Sequence, residues 1–142
     1  MPRRILTVCK GGYCRAPLAA AVLAKLGGPA VETRAAAVRD WHIGEGAHPT
    51  MIEVAGERGY DLTGHRGVQI DPDLLAWADV ILAMDSAVLA ALRELTDDDT
   101  SAKLRLYLDG QDVPDPWKQP REAFAACVAS VESGADRHLG AA

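Results

Sequence analysis

Short unbroken apolar runs alternate along the chain with longer, helix-like stretches rich in alanine and leucine. Residues 4–8, 80–84 and 104–108 read as buried strands, and residues 30–36 as a further strand written largely in alanine. Between them, residues 16–26 read as a helix with Pro17 in its first turn, where a missing N–H is harmless, and Gly27-Gly28-Pro29 as its stop. Residues 49–58 form a second predicted helix, closed by Gly59. Asp71-Pro72-Asp73 opens a short third one as cap and first-turn proline. Residues 86–95 and 120–137 complete the helices, and residues 96–100 read as an acidic, solvated loop.

Strand–helix alternation predicts an α/β fold with parallel strands and helices on both faces. In such sheets a ligand sits beyond the carboxyl ends of the strands. Cys9 follows the first strand there, Met84-Asp85 the third and residues 109–116 the fourth, so these segments are expected to meet in one crevice.

The chain has 142 residues, 49% hydrophobic and 25% charged, which predicts one domain over residues 1–142 with a real core. A net charge of −5 argues against a general nucleic-acid binder and leaves room for a local basic pocket. The start, Met1-Pro2-Arg3-Arg4, carries no secretory pattern, and the apolar runs fall short of a membrane span, so the expectation is a cytoplasmic protein without membrane contact. Cys9, Cys14 and Cys127 make an odd set without zinc-like spacing, and the histidines add no metal pattern; neither a metal nor a cofactor is expected. The pattern leaves the oligomeric state open.

The richest local signal is Cys9-Lys10-Gly11-Gly12-Tyr13-Cys14-Arg15, at the turn from strand to helix. Loop amides and a helix N-terminus converging on one point make an oxyanion site, and the same field favours a thiolate. The arginine adds a planar fork that matches two oxygens of a phosphate-like group. With Ala16-Pro17, this segment resembles the signature loop of the low-molecular-weight protein tyrosine phosphatases: Cys, any residue, Gly-Asn, any residue, Cys-Arg-Ser-Pro. Trp41-His42-Ile43-Gly44 resembles the family's pocket wall. Asp61-Leu62-Thr63-Gly64-His65-Arg66 with Gln69, and Ala78 through Asp85, resemble its central stretches. Val113-Pro114-Asp115-Pro116-Trp117 resembles the loop that carries the general acid.

The resemblance implies a three-layer fold around a four-stranded parallel sheet of order 2-1-3-4, and a metal-free, two-step hydrolysis of phosphate esters, phosphotyrosine or small aryl phosphates. Cys9 would attack phosphorus and carry the phosphoryl group. Arg15 and the loop from Lys10 through Gly11, Gly12, Tyr13 and Cys14 would bind the equatorial oxygens. Asp115 would protonate the leaving oxygen and then activate water. Trp41 and Trp117 would form the pocket walls, although half-exposed packing is the plainer role for a tryptophan. Tyr13 could stack on an aryl phosphate or narrow the entrance. Cys14 is a redox partner for Cys9 by resemblance and a small core residue otherwise.

The match breaks behind the loop. The family's asparagine is Gly12, its serine after the arginine is Ala16, and the serine of its Ser-Ala-Gly segment aligns with Ala35. Only His65 remains of that polar network, without an evident partner. A hydroxyl bond to the charged sulfur is worth about 1.5–3 kcal/mol, so its absence predicts turnover slowed roughly 10- to 100-fold at hydrolysis of phospho-Cys9. The alternative is a phosphate- or phosphoprotein-binding module with weakened catalysis; retention of an acid at Asp115 argues against it. Thioredoxin-coupled arsenate reduction on this fold needs further cysteines after the third strand, and residues 84–95 contain none. Asp85 reads as a loop support or helix cap, Arg66 as a solvated charge, Cys127 as core, His42 as pocket rim, and His48 and His138 as surface residues.

Overall fold

The structure, a computed structural model, describes residues 2–139. Its centre is β1 (Arg3–Cys9), whose last five residues are all buried. Along β1 the side chains divide with the two-residue period of a strand. Ile5 and Cys9 enter one apolar layer, and Leu6 and Val8 the other. β3 (Val80–Ala83) repeats the division, with Val80 and Leu82 on the first side and Ile81 and Ala83 on the second. A strand apolar on both faces must be covered on both, which is why the pattern reads as parallel sheet.

β1 pairs with β2 (Val31–Ala37) on one side and with β3 on the other, and β4 (Leu104–Leu106) pairs with β3 and closes the far edge. All pairings are parallel and the order is β2-β1-β3-β4, as expected. The first apolar layer is completed by α1 (Arg15–Gly27), α2 (Pro49–Glu57) and α6 (Arg121–Leu139), which supply Leu18, Val22, Met51, Phe124 and Val128. α3 (Pro72–Trp77) and α4 (Ser86–Leu95) cover the other face with Leu75, Leu89 and Leu92. No helix among the described residues is long and apolar enough to cross a membrane.

Several helix starts have a local cause. Asp71 and Asp85 accept the N–H groups of Leu74 and Val88, both at 2.8 Å, and so cap α3 and α4. The expected loop at 96–100 is instead interrupted by a helical turn, α5 (Asp98–Ser101). Asp97 accepts the Thr100 N–H at 2.8 Å, and Asp98 and Asp99 stand in the first turn, where helix-dipole charge favours carboxylates.

Two histidines expected at the surface lie elsewhere. His48 is half-buried, and its Nδ1 accepts the Thr50 N–H at 3.0 Å as the cap of α2. His138 is 4% exposed, and its Nε2 donates to the Tyr107 carbonyl at 2.6 Å. It falls on the buried face of α6, which runs two residues past the expected end at 137. Burial pushes its pKa down.

Candidate active site

The turn after β1 builds the site from backbone outward. The carbonyls of Cys9 and Lys10 accept from Val38 and Arg39 N–H at 3.0 and 2.9 Å. The Tyr13 carbonyl accepts from His48 N–H at 2.9 Å, and the Gly12 carbonyl from His65 Nε2 at 3.0 Å. A trans peptide that turns its carbonyl outward turns the next N–H the opposite way. The loop amides therefore face its inner side, and the Gly12 N–H reaches the Cys9 sulfur at 3.1 Å.

His65 thus has a partner after all, a main-chain carbonyl in place of a side-chain network. Burial lowers its pKa, in keeping with a neutral ring that donates from Nε2. Gly12 has φ of 68°, which glycine adopts without strain, and a Cβ there would lie 2.9 Å from the Ala37 methyl. Ala37 on β2 therefore fills the space that a side chain at position 12 would need.

Arg15 is only 4% exposed. Its Nη1 donates to Asp85 Oδ2 at 2.7 Å and to the Val113 carbonyl at 2.9 Å, while Nη2 lies 3.9 Å from Asp115 Oδ2. Asp85 therefore does both things expected of it, bracing the site and capping α4. Burial pushes its carboxyl up, but the Val88 N–H and the guanidinium outweigh this and hold it low. The loop bearing Asp115 is pinned to β3, because Val113 N–H donates to the Met84 carbonyl at 2.8 Å. Asp115 Oδ1 accepts the Trp117 N–H at 3.1 Å, so the turn role and the position beside Arg15 coexist.

Of the site residues selected from sequence, all but Gly12 line one narrow cavity of about 50 Å³, joined by His42. Gly12 sits behind it, against Ala37. Trp41 and Trp117 form half-exposed walls, and Lys10 and Lys118 place their Nζ atoms 5.3 and 4.6 Å from the respective rings. Tyr13 stacks flat on His42, with centroids 4.1 Å apart and planes 9° from parallel. His42 in turn faces Glu45 Oε2 at 3.2 Å. This stack and the Arg15–Asp85 bond were not derivable from spacing alone. An aspartate directly after the third strand was the one available signal for the second.

The sulfur departs from expectation. Burial pushes the Cys9 thiol up, and the Ala16, Gly12 and Tyr13 N–H groups and the Arg15 guanidinium pull against it without overcoming it. Loop dipoles alone favour the thiolate; the depth of the pocket opposes them. Cys14 is buried with a free thiol, likewise pushed up by burial, and the Cys127 thiol is pushed up to about 12. Arg66 is exposed as expected, although its Nη1 also donates to the His65 carbonyl at 2.6 Å.

A sequence profile described as low molecular weight phosphotyrosine protein phosphatase matches residues 4–141. The chain belongs to that family. A low molecular weight protein-tyrosine-phosphatase of Streptomyces coelicolor is 35% identical, aligned over 99% of this chain and 94% of its own. A protein-arginine-phosphatase of Geobacillus stearothermophilus is 34% identical, over 96% and 94%. Among solved structures, Vibrio vulnificus Wzb in complex with benzylphosphonate superposes with a TM-score of 0.90 at 29% identity, covering 96% of this chain and 97% of the other. Members of the low-molecular-weight phosphatase family share a cysteine-based mechanism.

Proposed function

We propose that the protein is a cytoplasmic phosphatase that hydrolyses phosphotyrosine or small aryl phosphates through a phospho-Cys9 intermediate. The single observation that carries this is the convergence of Cys9, Arg15 and Asp115 on one cavity, with Arg15 held from behind by Asp85 and Val113. Flat aromatic walls at Tyr13, Trp41 and Trp117 support an aryl group in that cavity.

In the first step the Cys9 thiolate, its proton released beforehand, attacks phosphorus, and the bond to the leaving oxygen breaks. Protonated Asp115 gives its proton to that oxygen. The equatorial oxygens lie against the loop N–H groups and the free edge of the Arg15 guanidinium, where transition-state charge collects. In the second step Asp115 takes a proton from water as that water attacks phosphorus. The sulfur–phosphorus bond breaks, and phosphate leaves.

Para-nitrophenyl phosphate hydrolysis by the wild type beside Cys9→Ser and Asp115→Asn tests this. Cys9→Ser should abolish activity, and Asp115→Asn should reduce it about 10²- to 10⁴-fold. Phosphotyrosine should be turned over in preference to phosphoarginine. Phosphate binding without turnover by the wild type would reject the reading.

A further inference from the structure

Behind Lys10 lies a second cavity, larger than the first, of about 190 Å³. Lys10 and Asp85 line it, together with Arg39, Val38 and the α4 side chains Ala87 and Val88. Lys10 also lines the active-site cavity, so the two spaces share one wall. Among the described residues neither Lys10 nor Arg39 lies within 4.0 Å of a carboxylate. Arg39 thus brings a cation without a carboxylate partner to this cavity in a protein of net charge −5, while the Lys10 Nζ lies 5.3 Å from the Trp41 ring, on the wall the two spaces share. The one carboxylate facing the cavity is already committed, Asp85 being bonded to Arg15 and to the Val88 N–H. The floor of Val38, Ala87 and Val88 is apolar. An acidic group on a short aliphatic arm matches this lining: methylenes on the floor and charge against Arg39.

We propose that this cavity is a subsite for a second anionic group, carboxylate or phosphate, carried on the same substrate next to the phosphoryl group that enters the Cys9 pocket. The proposal rests on the phosphatase reading and gives it a substrate preference: phosphorylated segments with an acidic or second phosphorylated neighbour. Arg39 is the specificity residue, because it faces this cavity and not the Cys9 pocket.

The test compares phosphotyrosyl peptides that differ only in the residues flanking the phosphotyrosine: alanine, lysine, glutamate or phosphoserine. The wild type should favour glutamate or phosphoserine over alanine in kcat/KM by about three- to fivefold, the size of one partly screened charge pair. The preference should shrink at about 0.5 M salt. A larger gain for phosphoserine assigns the site to phosphate, and a larger gain for glutamate to carboxylate. Arg39→Gln should bring all peptides within twofold of alanine, and Arg39→Glu should reverse the order in favour of lysine. Hydrolysis of para-nitrophenyl phosphate, which has no second anion, should be unchanged in both variants; it reports on the phosphatase reading separately. Equilibrium binding of the same peptides to Cys9→Ser reads the preference without turnover. Equal kcat/KM across the peptides, or a preference unchanged in Arg39→Gln, overturns the subsite.

Discussion

Ala16 donates its main-chain N–H toward the Cys9 sulfur but has no hydroxyl to add to it. The sulfur is therefore stabilised as an anion by backbone and Arg15 alone, against a burial that raises its pKa. Ala16→Ser should shift the pH midpoint of Cys9 alkylation by iodoacetamide downward. It should also raise turnover of an aryl phosphate roughly 10- to 100-fold, with loss of any pre-steady-state burst. An unchanged rate in stopped-flow would show that dephosphorylation of Cys9 does not limit. Gly12 supplies a second residue-scale expectation. Gly12→Asn alone must push its side chain into Ala37, since even a Cβ comes to 2.9 Å of that methyl. The single variant should lose activity, and Ala37→Gly added to it should restore activity; a double variant no better than the single would refute the steric role of Ala37. That Cys9 and Arg15 belong together was legible because residues 9–15 form one continuous loop, whereas Asp115 was placed beside them by its position after the fourth strand and by the resemblance of its loop. The protonation of the sulfur was not, because its burial depends on segments distant along the chain.

At the scale of elements, caps and stops were legible wherever one side chain decides: Asp71, Asp85, Gly59. The helical turn after Asp97 carried the same kind of signal, but its acidic run is equally what a solvated loop contains. His138 was misjudged because it neighbours Arg137 on a helix whose buried face is set by Phe124, Val128 and Val131, many residues earlier. Its environment has a measurable consequence. Burial lowers the folded-state pKa below the unfolded value of about 6.5, so the unfolded chain binds this proton more readily. The stability His138 contributes is full above that unfolded value and is lost as pH falls through the depressed folded pKa. Denaturant midpoints measured from pH 7 down to pH 5 should fall more steeply for the wild type than for His138→Gln, which cannot titrate. His48 and His65, also lowered, remain in both proteins and cancel in the comparison. Parallel slopes would contradict the assignment.

Across the whole molecule, the division of β1 and β3 between two apolar layers was readable from runs of apolar residues, since a parallel strand needs cover on both sides. What the runs could not reveal is how the α6 side of the core reaches the active site. Phe124 on α6 is 2% exposed, and its ring lies 4.8 Å from that of His48. His48 caps α2, donates its N–H to the Tyr13 carbonyl and lies 5.0 Å from the Tyr13 ring. Tyr13 in turn lines the pocket, stacked on His42. A continuous column of packed rings thus joins a distant helix to the phosphate loop. Removing Phe124 leaves a cavity beneath His48 as well as lost apolar burial. Phe124→Ala should therefore destabilise the fold by about 3–5 kcal/mol in urea unfolding. Because the released element holds one of the outward loop carbonyls, the loss should not stop at stability. Below the unfolding transition, KM for an aryl phosphate should rise while the burst amplitude per folded enzyme persists. Phe124→Leu, which refills most of the volume, should restore most of both. A Phe124→Ala enzyme with unaltered KM would mean that the ring column supports the core without positioning the loop.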